Sequence, residues 1–150
     1  MSGIPYKLDG LDGDNEVRAK FTSFYASMAL SKGDAVCIDV ATTTNGIGNH
    51  VTQADVDAAA TKQAIGIAAE AIASGDVGLV QVGGVCTFAK LDAVGATAPG
   101  DLLGAATTAG ELAIQSAHNV AAVAINLIEN VAGTDGTADC TVYLLNPLNL

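Results

Sequence analysis

The sequence predicts a mainly β protein: a compact antiparallel β-barrel or sandwich with an extended N-terminal arm and at most one short helix. Three observations carry that expectation. The stretch Ala64–Lys90, AIGIAAEAIASGDVGLVQVGGVCTFAK, alternates apolar with small or polar residues on both sides of a Ser74-Gly75-Asp76 turn, the pattern of a β-meander. Gly-Asp pairs at Gly33-Asp34, Gly75-Asp76 and Gly100-Asp101 each precede an apolar run; Gly admits positive φ there and Asp bonds the local backbone. Large rings are displaced toward the start of the chain: Tyr6, Phe21, Phe24 and Tyr25 lie within the first 25 residues, and only Phe88 and Tyr143 serve the remaining 125.

Met1–Leu30 reads as the arm and residues 31–150 as a single β-rich domain. Met1–Glu16 has little regularity. Its acids Asp12, Asp14 and Glu16 have the spacing of a calcium loop, but Val17 stands where the EF-hand turn needs Gly and Ser23 where it needs a bidentate Glu, so a polar turn is expected. Val17–Leu30 is an extended arm or first strand. Lys32-Gly33-Asp34 turns the chain into a strand over Ala35–Val40, with Val36, Ile38 and Val40 on one face. Thr42–His50 is a polar loop. Thr52-Gln-Ala-Asp55 has the form of a capping box, which would place the one short helix at Val56–Thr61.

Within the meander, Gly83-Gly84 reads as a break that starts a third run, Val85–Leu91. Strands are then expected at Leu102–Ala106, Glu111–Gln115 and Asp139–Leu145, while Val120–Val131 fits a long strand or, by its Ala content, a helix. The Gly-Asp pairs are unequally spaced, which argues against a solenoid or propeller. A chain of 150 residues can build a real core without staples. Much of the 50% hydrophobic content is Ala, however, and there is no Trp. Barrel closure or contact with other subunits is the expected way to add burial.

Net charge is −10, which disfavours nucleic acid, whose affinity rests on Lys and Arg. Its distribution divides the chain. Lys7, Arg18, Lys20 and Lys32 balance Asp9, Asp12, Asp14 and Glu16 in the first 32 residues, whereas residues 33–150 set two Lys against twelve acids. An acidic body suits a solvated surface. The neutral, aromatic arm either folds back to cap the barrel or holds anchors for a partner, where Tyr and Phe contribute most of the binding energy.

Catalytic chemistry is not visible in the sequence. His50 and His118 lack metal-ligand spacing, no GxSxG elbow or phosphate-binding loop occurs, and no cofactor is implied. Lys62 and Lys90 do not sit at the hairpin tip that a biotinyl or lipoyl carrier domain uses. Cys37, Cys86 and Cys140 lie singly in apolar runs and read as buried small hydrophobes of a chain made in a reducing cytoplasm. Ser2–Gly10 carries Pro, Lys and Asp in place of a signal-peptide core, and no run reaches membrane-spanning length.

Lys32-Gly-Asp-Ala-Val36, Ala64-Ile-Gly-Ile-Ala68, Ser74-Gly-Asp-Val77, Gly84-Val85 and Pro99-Gly-Asp-Leu102 follow in an order that resembles the capsid decoration, or cement, proteins of tailed bacteriophages. The likeness covers about Ser31–Gly110. It implies a non-enzymatic virion protein on the outer surface of the expanded head, commonly a homotrimer, with the major capsid protein as partner and neither nucleic acid nor membrane. Its N-terminal segment would contact the shell. The candidate partner-binding residues are accordingly Tyr6, Arg18, Lys20, Phe21, Phe24 and Tyr25. Another phage head or tail module, or a β-barrel that binds a ligand or carbohydrate, are the alternatives.

Overall fold

A computed structural model describes residues 19–58, 63–92, 97–115, 122–129 and 136–146. The calcium-like acids of Met1–Glu16, the region 59–62, His118 and the ends of the 120–131 run lie outside the described residues. Among the described residues there are nine strands and no helix. They are β1 (Lys20–Ala26), β2 (Ala35–Ile38), β3 (His50–Gln53), β4 (Gly66–Ala68), β5 (Val77–Lys90), β6 (Leu102–Ala105), β7 (Leu112–Ile114), β8 (Ala124–Asn126) and β9 (Ala138–Leu145).

Strands β1, β3, β2, β4 and β5 follow one another round a closed barrel, because β1 pairs with β3 on one side and with β5 on the other. One pair departs from the antiparallel expectation: β1 and β3 run parallel. Strands β9, β8, β6 and β7 continue the sheet beyond β5. A parallel bridge from Leu91 to Leu112 brings β7 back beside the end of β5, so this second sheet also curls toward the strand it started from. Of the two readings of Val17–Leu30, arm or first strand, residues 20–26 take the second and form a stave of the barrel, and Leu30 bridges Ile72.

The period-2 alternation of each strand distributes side chains between two cores. Phe24, Ala26, Val36, Val51, Ala68, Val80 and Val82 fill the barrel interior. Ala35, Cys37 and Ile67, which alternate with them on β2 and β4, face outward and meet Cys86, Leu103, Leu112, Val123, Ala124, Cys140, Val142 and Leu144. The outer barrel wall is therefore one side of the second core. Both cores are chiefly aliphatic, of Ala, Val, Leu and Ile, and the two share the work that one core of large rings would do.

Two sequence expectations are corrected. Thr52 lies in β3 opposite Cys37 and not at a helix cap, because β-branched Val51 and Thr52 complete the β2 ladder and Val51 is buried in the barrel. Gly83-Gly84 does not end a strand. β5 runs unbroken through both, changing partners there: residues before Gly83 pair with β1 and β4, and those after it with β9. Gly84 takes φ +82°, a conformation that bends the strand from one sheet into the next without a loop.

Gly-Asp pairs do open strands, through a shared turn. In Ser31–Asp34, Ala73–Asp76 and Ala98–Asp101 the acid's N–H donates to the carbonyl three residues back at 3.0–3.1 Å, and the glycine has φ between 88° and 95°. Thr108–Glu111 repeats the turn with Glu in place of Asp. In two of the four the carboxylate returns the bond: Asp34 Oδ2 accepts from Ser31 N at 2.8 Å and Asp101 Oδ2 from Ala98 N at 2.7 Å.

Asp34 does more than close its turn. Its buried carboxylate also accepts from Gln53 Nε2 at 3.0 Å and from Lys90 Nζ at 2.7 Å, tying the start of β2 to β3 and to the far end of β5. The last residues of β3 and β5 are held at this one group.

Candidate partner-binding face

Of the six candidate residues, Tyr6 and Arg18 lie outside the described residues. The other four stand on β1, where alternation separates them. Phe24 points into the barrel and is 7% exposed, so it is a core residue and not an anchor for a partner. Lys20 is exposed at the start of the strand, and Phe21 is 49% exposed. Half-buried Tyr25 stacks on His50, with ring centroids 5.1 Å apart and planes 24° from parallel. Tyr25 and His50 are direct partners across the parallel β1–β3 pair, which is why their rings meet.

The register adds two residues to this face. Phe21 lies opposite Gln81, Ser23 opposite Leu79 and Tyr25 opposite Val77. Val77 and Leu79 are 53% and 43% exposed. Phe21, Tyr25, Val77 and Leu79 therefore form an apolar strip on the outside of the barrel, over a β1–β5 ladder whose inward positions are Phe24, Ala26 and Val80. The alternation of Val77 and Leu79 was visible in the sequence. Their pairing with β1 was not, since it joins strands about fifty residues apart.

Fixed polar groups border the strip. Glu70 accepts from the Leu79 backbone N–H at 2.9 Å, and the Ala73–Asp76 turn leads directly into Val77. At the same C-terminal end of β1, Asp39 accepts from Ser27 Oγ at 2.5 Å, Thr42 Oγ1 at 2.6 Å and the Ala41 N–H at 2.8 Å. The Ser27 and Thr42 hydroxyls, with help from backbone N–H groups, hold the Asp39 carboxyl at a pKa of about 2. Asp39 thereby anchors the 39–42 corner to the residue that follows β1.

The chemistry this arrangement offers is contact. Among the described residues no three His, Cys, Asp or Glu side chains converge as metal ligands would. All three cysteines are free and buried, and burial pushes the Cys37 and Cys86 thiols up to about 11. Lys90 is committed to Asp34. No helix of the described residues is long and apolar enough to cross a membrane. No known protein-family model matches the chain, and no curated protein is similar to it.

Proposed function

We propose that this chain is a virion structural protein: a capsid decoration, or cement, protein that binds the outside of an expanded phage head and stabilises contacts between capsomers. The observation that carries the reading is the apolar strip Phe21, Tyr25, Val77 and Leu79 on the outer barrel wall, immediately after the neutral N-terminal segment and set on an acidic body. A barrel closed by β1 gives these anchors a rigid platform, so little ordering cost is incurred when they meet a shell. The remaining acidic surface suits the solvent side of the particle. Trimers at threefold positions and the major capsid protein as partner belong to the same proposal, as does stabilisation by mass action, since binding only the expanded lattice favours that state.

Removing Met1–Leu30 would delete a barrel stave and unfold the body. The informative variants are a deletion of residues 1–18 and, separately, Phe21→Asp with Leu79→Asp. Both are expected to stay folded by circular dichroism and to lose occupancy on heads. Normal occupancy by the double aspartate variant would remove the strip from the docking model.

A further inference from the structure

A second apolar surface lies on the part of the chain that the sequence assigned to solvent. Val85 of β5 is opposite Tyr143 of β9, Tyr143 opposite Ile125 of β8, and Ile125 opposite Leu102 of β6. These four side chains form one row across four strands. Their chain neighbours Cys86, Val142, Ala124 and Leu103 belong to the second core, so the row itself is on the outer face. Leu102 is 50% exposed; Leu145, two positions further along β9, and Leu127, just past the end of β8, are 41% and 40% exposed. An antiparallel sheet with one solvated face ordinarily carries polar residues there.

The surrounding charge is mainly acidic, with Lys20 of β1 beside Gly83 at the Leu145 corner. After Lys90 the chain contains six acids and no Lys or Arg. Asp101 precedes Leu102, Asp139 stands at the start of β9, and Glu129 follows Leu127 by two residues. Two copies meeting through this face would bring Asp101, Glu129 and Asp139 of each against acids of the other, with Lys20 at one corner, and the excess of like charge disfavours self-association here. A partner with a complementary rim is favoured by the same charges.

We infer that the outer face of β5, β9, β8 and β6, centred on Tyr143, Ile125 and Leu102, docks a protein surface that is apolar at its centre and rich in Lys or Arg at its rim. This contact is additional to the β1–β5 strip and does not depend on the capsid assignment. A labelled peptide of alternating Leu and Lys, roughly ten residues long like a long strand, reproduces the partner's chemistry, and the matching Leu-Glu peptide is the control.

Fluorescence anisotropy on the full chain is expected to show binding of the Leu-Lys peptide that weakens with added salt, and no binding of the Leu-Glu peptide. Leu102→Ser, at a half-exposed site, and Leu102→Ser with Ile125→Ser should each keep the wild-type melting profile, and the pair should weaken binding at least about tenfold; Phe21→Ser should leave it unchanged. Equal binding by the double variant, or absence of binding by the wild type, overturns the assignment. So does wild-type self-association in sedimentation that Leu102→Ser abolishes, which would make a second copy the occupant. Head binding that survives a negative peptide result leaves the capsid proposal standing and removes only this face.

Discussion

Asp34 joins three parts of the fold, one buried carboxylate holding a turn, Gln53 and Lys90. Asp34→Ala leaves a largely buried ammonium without its partner, a loss of about 3–5 kcal/mol, measurable as a lower urea midpoint. Asp39 stabilises the fold while it is ionised. Its carboxyl is held at about 2 in the folded chain against an ordinary 3.8, so it contributes stability fully above about pH 4, and that contribution disappears as pH falls toward 2. Asp39→Asn should therefore lower the melting temperature at pH 6 and lose its difference from wild type near pH 2. At the cysteines, burial keeps Cys37 and Cys86 protonated at neutral pH, and a thiol reagent should label them only after denaturant is added. Rapid labelling of the native protein would contradict their placement in the second core.

Among the elements, the glycine turns and β5 set the architecture. Gly33 has φ +94°, and a Cβ there would come 2.5 Å from the Phe88 carbonyl oxygen, which belongs to β5. Gly33→Ala should destabilise the protein by at least about 1–2 kcal/mol from the left-handed backbone alone, with the contact adding to it; a melting temperature unchanged from wild type would contradict this geometry. Much at this scale was legible in the sequence. Strands β2, β6 and β7 follow from alternation entered by Gly-acid turns, and β9 from alternation alone, because those signals are local. β3 was hidden, since Thr52 and Asp55 mimic a helix cap and only the β2 ladder reveals a strand. The continuity of β5 was hidden for a related reason: glycine pairs end strands in most settings, and here they let one strand serve two sheets. The site divides in the same way. Phe21, Phe24 and Tyr25 are alike in residue type, and only the inward parity of β1 separates the buried ring from the more exposed ones.

As a whole, the molecule answers a small-residue composition with two thin cores on either side of one barrel wall, and it leaves apolar side chains on two outer faces. Burial spread this way makes the closed sheet the source of rigidity, while the outer faces remain available for partners. If the β1–β5 strip is the capsid contact, binding follows the state of the lattice, because a cement protein stabilises expanded heads only by preferring them. The direct measurement of that proposal is co-sedimentation of the purified chain with expanded and with unexpanded phage heads. Saturable binding to expanded heads, absent from unexpanded ones and lost with Phe21→Asp and Leu79→Asp, is the predicted result; no binding to expanded heads, or equal binding to both forms, would contradict it.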